Sequence, residues 1–306
     1  MNINNALIKY AKCLEKINND YKISYIESQT ILMHVLNISK MKLISDSLRE
    51  LTQKEVNNIE ELINRRLNYE PISYIINKKE FYGFNFYVDN NVLIPRPETE
   101  ELIDLVLDYM KDKNNISICD IGGGSGNIAI TLKKLFLEQN KNIDITAIEI
   151  SEGAFQVMKK NALNILGDEK LINIVNTDAL TFISENKYDV IVSNTPYVPL
   201  RDKDSLQKDL EFEPQNALYS GYDGLDLYKS FLNVIGKYLN YNGAFFFEIG
   251  YNQGEALIDI CNNFNIKNVI VKKDLCGKDR FLVCESFYIW FFYDFFIKFN
   301  INILAQ

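Results

Sequence analysis

The sequence predicts an α/β protein, in which a domain built on an open parallel sheet is preceded by a small helical domain and a β-hairpin linker. Three observations support this prediction. Apolar residues recur at helical spacing in the first 70 residues, aromatic residues alternate around a glycine in the segment FYGFNFYVD, and strand-like and helix-like segments alternate beyond residue 115. The length of 306 residues also suits two domains.

The predicted helical domain covers residues 1–70. Thr52 and Glu55 have the spacing of a capping box, in which each side chain pairs with the backbone at the start of a helix. The apolar positions with helical spacing are Ala6, Leu7, Tyr10, Leu14 and Ile17, then Ile31, Leu32, Val35 and Leu36, and finally Val56, Ile59, Leu62, Ile63 and Leu67. We therefore expect helices that share one core.

The predicted linker covers residues 71–95 and contains the hairpin segment FYGFNFYVD. Pro95 and Pro97 follow it, and Pro97 stands where the first turn of a helix tolerates proline. Leu102, Val106 and Tyr109 continue with helical spacing, so we expect a helix to open the main domain at residues 96–285.

Within this main domain, strands and helices alternate in order. The expected strands are ISICDI, IDITAIEI, INIVNTD, YDVIVSN, GAFFFEIG and FLVCESF, and the expected helices include SEGAFQVMKKNALNIL and ALTFIS. Such alternation predicts a parallel sheet with helices on both faces. In sheets of this kind, ligands bind beyond the carboxyl ends of the strands, so the residues at the strand ends are the candidates for a site.

The composition is that of a globular protein, with 47% hydrophobic and 24% charged residues. A net charge of −8 argues against a general affinity for nucleic acid, so we expect no direct nucleic-acid binding. The five cysteines form no C-x-x-C pair, which predicts neither a disulfide framework nor a zinc site. The first residues lack the apolar run of a signal peptide, and we expect a cytoplasmic monomer.

The first strand end carries a glycine loop, Gly122-Gly123-Gly124-Ser125-Gly126, after Asp120 and Ile121. Because glycine has no side chain, the backbone of this loop can turn tightly and approach a ligand, although such a loop can equally be a structural turn. A dinucleotide fingerprint G-x-G-x-x-G would need glycine at position 127, where the chain has Asn127. The spacing G-x-G-x-G is the form common in methyltransferases.

The second and third strand ends carry acidic residues. Glu149 follows the glycine loop by about twenty residues, the spacing at which a carboxylate accepts hydrogen bonds from ribose hydroxyls. Asp178 can accept from the exocyclic amine of adenine, while Ala179 leaves room for the ring. For Asp178, a cap on the following segment is an equally good interpretation.

The fourth strand end is the turn Asn194-Thr195-Pro196-Tyr197. An amide or amino nitrogen on a planar group is a poor nucleophile because its lone pair is delocalised. Such a nitrogen reacts only when the site holds it in a fixed orientation. The side-chain oxygen of Asn194 and the carbonyl of Thr195 can accept from two N–H groups of such a substrate. Pro196 holds Thr195 extended, and Tyr197 can stack on the planar group.

Together with the glycine loop and the N-x-P-Y turn, several longer segments resemble the release-factor glutamine methyltransferases, the HemK/PrmC family. The resemblance covers residues 1 to about 285, and the segments are PISYIINKKEFYGFNFYVDNNVLIPRPETE, FEPQNAL, GYDGLDLY, FEIGYNQGEAL and GKDRFLV. It implies a Rossmann-like S-adenosylmethionine-dependent methyltransferase domain, an N-terminal domain that helps hold the release factor, and methylation of the glutamine in the factor's Gly-Gly-Gln motif.

The resemblance also implies roles for single residues. Gly122, Gly123, Gly124, Ser125, Gly126, Glu149, Asp178 and Ala179 would bind S-adenosylmethionine, Asn194 would touch both cofactor and substrate, and Asn194, Thr195, Pro196 and Tyr197 would hold the glutamine. No general base is needed, because the sulfonium leaving group is already activated and the proton leaves after transfer.

Two departures from the family pattern stand out. The family usually has proline at position 195, and Thr195 makes the turn less preorganised by about 1 kcal/mol. The second departure is an aromatic C-terminal extension at residues 286–306, which contains FYIWFFYDFFIKF. Asp294 and Lys298 interrupt this segment, so we expect no membrane span.

Two other functions share parts of this pattern. An N6-adenine-type DNA or RNA amino-methyltransferase would use the same N-x-P-Y chemistry, but it needs a basic groove and a pocket for a flipped base. A non-catalytic relative that retains the cofactor site is the other alternative, with Thr195 as a sign of lost activity. The net negative charge disfavours the nucleic-acid methyltransferase. The non-catalytic relative is disfavoured because the chain retains Asn194, Pro196, Tyr197 and Glu149.

Overall fold

The structure, a computed structural model, describes residues 1–113, 115–141, 143–182 and 187–287. The chain forms two compact units. The first comprises residues 1–78, 88–90 and 207–212, and the second comprises the other described residues. No helix in the described part of the chain is long and apolar enough to cross a bilayer.

The first unit is helical, as predicted. Its helices are α1 (Ile3–Asn18), α2 (Tyr21–Leu36), α3 (Lys40–Ser45), α4 (Gln53–Leu67) and α5 (Ile72–Ile75). The capping box is present at the start of α4, where Thr52 accepts from the Glu55 backbone and Glu55 accepts from the Thr52 backbone. One apolar cluster joins α1, α2, α3 and α4, and it includes Tyr10, Leu14 and Ile31.

The predicted hairpin is formed by β1 (Lys79–Phe81) and β2 (Phe84–Phe86), which pair antiparallel. Both turn residues have positive φ, 50° at Tyr82 and 78° at Gly83, which matches the twist of a two-residue hairpin. The hairpin belongs to the second unit. Helix α6 (Glu98–Met110) then begins directly after Pro97.

The second unit contains a seven-stranded sheet. Its strands are β3 (Ser117–Ile121), β4 (Asp144–Glu149), β5 (Asn173–Asn176), β6 (Tyr188–Ser193), β7 (Leu239–Glu248), β8 (Val269–Lys273) and β9 (Asp279–Cys284). Their order is β5-β4-β3-β6-β7-β9-β8, in which β9 pairs antiparallel with both β7 and β8 and all other neighbouring strands pair parallel. The order reverses at β3, so its carboxyl end faces the crevice where such sheets bind ligands.

Helices cover both faces of this sheet. They are α6, α7 (Asn127–Glu138), α8 (Glu152–Leu166), α10 (Asp226–Val234) and α11 (Gly254–Asn263), and the short helix α9 (Gln215–Leu218) precedes α10. Alternate residues of a strand enter different cores: Phe246 of β7 lies in the cluster that contains α6, α7 and α8, and Phe247 lies in the cluster that contains α10 and α11. Burial on both faces explains the nearly continuous apolar runs of the strands.

Two elements differ from the sequence prediction. Strand β8 was not predicted, because VIVKK is a short edge strand whose residues are exposed or only partly buried. The predicted helix ALTFIS is instead a turn over its described residues, with the Phe182 N–H donating to the Asp178 carbonyl at 2.9 Å. The Tyr238 hydroxyl binds the carbonyls of Ala179 and Phe182, at 2.6 and 2.8 Å, so these carbonyls are already engaged.

Beyond β9, the described chain continues to Phe287. This residue is buried, and its N–H donates to the Gly243 carbonyl at 2.9 Å. Its ring packs against Phe245. The packed core therefore extends to Phe287, while the rest of the predicted C-terminal extension, residues 288–306, lies outside the described residues.

Candidate active site

The glycine loop connects the end of β3 to the start of α7. Gly122, Gly124 and Gly126 have φ values of 72°, 54° and 81°, which L side chains rarely adopt. A Cβ on Gly126 would lie 2.5 Å from Cδ1 of Ile130 and 2.7 Å from Cγ of Met158. The loop therefore needs glycine both for its backbone conformation and for the close packing beside α7 and α8.

Glu149 ends β4 and holds this loop in place. One of its carboxylate oxygens accepts from the Gly124 N–H at 2.8 Å, and the other accepts from the Ser151 N–H at 2.8 Å. The residue is only 7% exposed. Because each carboxylate oxygen has two lone pairs, Glu149 can still accept two hydroxyl groups from a ligand.

Asp178 and Ala179 follow β5. The Asp178 side chain accepts from the Leu180 N–H at 2.8 Å, so it caps the turn as one of the two interpretations predicted. Ala179 is buried, and its carbonyl accepts from the Tyr238 hydroxyl. Both residues line the same cavity, so the capping contact does not remove Asp178 from the candidate site.

The turn Asn194–Tyr197 leaves the end of β6, next to β3. The Ser193 hydroxyl donates to the Ile121 carbonyl at 2.6 Å and ties the two strand ends together. Thr195 is 4% exposed, and its methyl group lies 3.5 Å from where a Cβ on Gly122 would stand. At the far end of the turn, the Gln253 side chain donates to the Tyr197 carbonyl at 2.9 Å.

A cavity of about 310 Å³ opens at these strand ends. Eight of the predicted site residues line it: Gly122, Gly124, Glu149, Asp178, Ala179, Asn194, Thr195 and Pro196. Other lining residues come from the segment before α6 and from α9 and α10, among them Asn91, Val92, Leu93, Asn216, Ala217, Leu227 and Phe231. The cavity thus joins the predicted cofactor residues to the predicted substrate turn.

Four predicted site residues do not line this cavity. A Cβ on Gly123 would lie 2.5 Å from Cε of Met158, so Gly123, like Gly126, allows α8 to pack closely. Ser125 is 1% exposed, and its carbonyl accepts from the Asn161 side chain at 2.9 Å. The Tyr197 ring packs against a core cluster, and its hydroxyl donates to Glu248 at 3.2 Å. Its stacking on a substrate stays a prediction.

The structure also brings in residues that the sequence did not single out. Thr99 at the start of α6 and Glu248 at the end of β7 are both buried, and Thr99 donates to Glu248 at 2.7 Å. The Asn194 side chain donates in turn to Thr99 at 3.1 Å. Thr99 and Glu248 lie in segments with family resemblance, but no local pattern signals that residues 149 positions apart meet.

Asp120 is another residue near the glycine loop that the sequence did not single out. It is fully buried below the glycine loop, where one oxygen accepts from the Ala129 N–H at 3.1 Å and caps α7. Its other oxygen has no partner within the described residues. Burial raises the pKa of Asp120 to about 7, and the nearby charge of Glu149 adds to this effect.

Comparisons with other proteins identify the family of the chain. The family profile described as "PrmC N-terminal domain" matches residues 5–76, and the profile described as "Methyltransferase small domain" matches residues 101–221. The "Release factor glutamine methyltransferase" of Clostridium acetobutylicum is 33% identical over 285 residues, which cover 92% of this chain and 97% of the relative. The protein of the same name from Bacillus cereus is 36% identical over 264 residues, or 84% and 91% of the two chains.

Among solved structures, the catalytic domain of hMettl16 in complex with MAT2A 3′UTR hairpin 1 has a TM-score of 0.54 and 17% identity, and the match covers 78% of this chain and 82% of that chain. At this identity the likeness concerns the fold alone. The fold is the Rossmann-like fold of S-adenosylmethionine-dependent methyltransferases, and S-adenosylmethionine is the cofactor of these enzymes. On its similarity to the two relatives over most of their length, the chain belongs to the release factor glutamine methyltransferase family.

Proposed function

We propose that this protein transfers a methyl group from S-adenosylmethionine to the side-chain amide nitrogen of a glutamine, namely that of the Gly-Gly-Gln motif of peptide-chain release factors in the cytoplasm. The main support for the proposal is that one cavity joins the predicted cofactor residues to the predicted substrate turn. Gly124 and Glu149 line this cavity together with Asn194, Thr195 and Pro196. Membership in the release factor glutamine methyltransferase family supports this substrate.

The residues at the ends of β3, β4 and β5 fit the cofactor. A side chain at Gly124 would project from a backbone with a φ of 54° beside the cavity, so the bare loop leaves room for a ligand. The remaining lone pairs of Glu149 suit the two ribose hydroxyls, and Asp178 and Ala179 suit the adenine. When bound there, S-adenosylmethionine supplies a methyl group activated by a sulfonium.

The turn after β6 fits a primary amide. Because the Nδ2 group of Asn194 donates to Thr99, its Oδ1 atom is the acceptor that remains for a substrate N–H. The Thr195 carbonyl can accept from the second N–H. Two acceptors fix the plane of the glutamine amide, so that the face of its nitrogen is directed at the methyl group. The nitrogen would take the methyl group as the C–S bond of the sulfonium breaks, which leaves a neutral thioether, and it would then release one proton to solvent.

The test of this proposal offers four possible acceptors to the purified protein. Methyl-labelled S-adenosylmethionine is incubated with a release factor, with the same factor carrying asparagine in place of the glutamine of its Gly-Gly-Gln motif, with duplex DNA, and with RNA. We expect label on the unaltered factor alone, and peptide mass spectrometry locates it on that glutamine.

Each other outcome contradicts the proposal in a specific way. Label on the asparagine-substituted factor would mean that another residue is the acceptor. Label on DNA or RNA would favour an amino-methyltransferase for nucleic acid, and no label on any acceptor, with cofactor binding intact, would favour a non-catalytic relative.

A further inference from the structure

A line of hydrogen bonds runs from the substrate turn into the core. Nδ2 of Asn194 donates to Oγ1 of Thr99 at 3.1 Å, and Oγ1 of Thr99 donates to Oε2 of Glu248 at 2.7 Å. The Tyr197 hydroxyl donates to the other oxygen, Oε1 of Glu248, at 3.2 Å. Thr99 is 0% exposed and Glu248 is 1% exposed, so water does not compete for these contacts.

The chemistry of the groups sets the direction of each bond. An ionised carboxylate can only accept, so the single proton of the Thr99 hydroxyl has to point at Glu248. The Thr99 oxygen can then only accept from Asn194. The amide of Asn194 must therefore present Nδ2 to Thr99 and Oδ1 to the opposite side, although the two orientations of an amide have almost the same shape.

We propose that Thr99 and Glu248 are positioning residues for methyl transfer, which hold the Asn194 amide in the one orientation that offers an acceptor to the substrate. This inference rests on the proposed function, since it concerns the same acceptor. In the opposite orientation, Asn194 would present an NH₂ group to the NH₂ group of the glutamine. Two donor groups cannot form a hydrogen bond with each other, so the substrate amide would lose one of the two hydrogen bonds that orient it.

Both carboxylate oxygens of Glu248 accept hydrogen bonds, from Thr99 and from Tyr197, which is the role of an ionised carboxylate. Burial is the largest influence and holds the pKa of Glu248 above its ordinary value, and the charge of Glu98 adds to it, whereas the hydrogen bonds from Thr99 and Tyr197 and the charge of Arg280 favour the ionised form. Arg280 is itself paired with Asp274 at 3.3 Å. The Tyr228 hydroxyl donates to the backbone carbonyl of Glu248 at 2.5 Å, which secures the residue from the other side.

Substitution of Glu248 by glutamine should reverse the line of hydrogen bonds without changing its shape. The amide that Glu248→Gln introduces can accept from Tyr197 and donate to Thr99, because one of its ends is a donor. Thr99 is then free to donate to Asn194, which turns the Asn194 amide around. Thr99→Val, which is nearly isosteric, breaks the line instead of reversing it.

The experiment measures kcat, KM for the release factor and Kd for S-adenosylmethionine. We expect Thr99→Val and Glu248→Gln each to lower kcat by about 10-fold, the effect of losing one orienting hydrogen bond. The cofactor Kd should change less than about 3-fold, since neither side chain is assigned to the cofactor and Asn194, whose amide turns, is one of nine residues assigned to it. Thr99→Ser, which keeps the hydroxyl, should restore most of the rate.

The double variant gives the sharpest result. Because the two residues act in series through one bond to Asn194, Thr99→Val with Glu248→Gln should be no slower than the slower single variant. Thr131→Val is the matched control, since Thr131 is also fully buried on a helix of the same unit but its hydroxyl has no partner among the described residues. It should leave kcat unchanged.

Two kinetic results would overturn the inference while leaving the proposed function intact. The first is a wild-type protein that methylates the factor and a Thr99→Val variant within about 2-fold of its kcat. The second is a double variant whose loss is the product of the single losses, because residues that act independently multiply their effects.

A measurement without substrate separates this inference from the proposed function. In nitrogen-15 NMR spectra, the side-chain NH₂ signal of Asn194, assigned by its absence in Asn194→Ala, should exchange with water about 10-fold faster in Thr99→Val than in wild type. An unchanged exchange rate would refute the positioning contact even if no release factor proved to be a substrate.

Discussion

The Gly124 N–H donates to the Glu149 carboxylate at 2.8 Å, across 25 positions of the chain. This bond joins the glycine loop after β3 to the end of β4, the next strand of the sheet. The side chain that we assign to the ribose thus also fixes the loop that lies beside the cofactor. A change at Glu149 should therefore affect the loop and the cofactor together.

Glu149→Ala should weaken S-adenosylmethionine binding by about 1.5 to 3 kcal/mol, because a charged acceptor for two hydroxyl groups is lost. Calorimetric titration measures the change. Glu152→Ala is the control, since Glu152 is an exposed carboxylate three positions further along the chain. An unchanged Kd in Glu149→Ala would reduce Glu149 to a structural support of the loop.

Gly126→Ala should destabilise the protein more than Gly167→Ala. The two glycines have nearly the same φ, 81° and 84°, so both variants carry a backbone strain of roughly 1 to 2 kcal/mol. Only at Gly126 would the new methyl group meet other atoms, those of Ile130 and Met158, which adds about 1 to 3 kcal/mol. Urea midpoints test this order, and equal midpoints would contradict the packing account of the loop.

Asp120→Asn should remove a pH dependence of stability. The pKa of Asp120 is raised from 3.8 to about 7 in the folded protein, so its contribution to stability is complete below pH 3.8 and is lost as the pH rises through 7. In this window the folded chain keeps a proton that the unfolded chain releases. The unfolding free energy then falls by about 1.4 kcal/mol per pH unit from this group.

The measurement for Asp120 is a difference between two proteins. Asparagine does not titrate, so the stability of Asp120→Asn relative to wild type should increase between about pH 4 and pH 7 and level off above that range. Urea unfolding without cofactor at several pH values provides it. A difference that does not vary with pH would show that the folded-state pKa of Asp120 is not raised.

The strand ends can be predicted from the sequence because each combines a local pattern with a general rule. Strands buried on both faces are apolar runs, and the polar residues that follow them meet at one edge of the sheet. The sequence alone thereby assigns Gly122, Glu149, Ala179 and Asn194 to one site, and the structure places all four around one cavity.

What the sequence does not reveal are contacts between distant segments. Thr99 and Glu248 are 149 positions apart, and nothing near either residue indicates the other. The turn after β5 was predicted wrongly for the same reason. The Tyr238 hydroxyl forms hydrogen bonds with the carbonyls of Ala179 and Phe182, which lie 59 and 56 positions earlier in the chain. Helical spacing in ALTFIS is a local property, and a tertiary contact outweighs it.

Thr195→Pro should leave turnover unchanged or raise it by up to about 5-fold, because the carbonyl stays and proline restricts the backbone by about 1 kcal/mol. The structure supplies an opposing effect, since proline would also remove the Thr195 hydroxyl, which belongs to a side chain that is only 4% exposed. Thr195→Val removes that hydroxyl alone and serves as the control. If both variants are more than about 10-fold slower, the hydroxyl and not the missing proline limits the turn.

The central claim is that Asn194 orients the glutamine amide for methyl transfer. Single-turnover kinetics of Asn194→Ala test this claim most directly. Wild type and variant are mixed with a release factor at saturating S-adenosylmethionine, so that cofactor binding does not limit the rate. Loss of one preorganised polar contact should raise the barrier by roughly 2 to 4 kcal/mol, which corresponds to a rate about 30- to 1,000-fold lower. An Asn194→Ala protein that methylates the factor at the wild-type rate would contradict the mechanism.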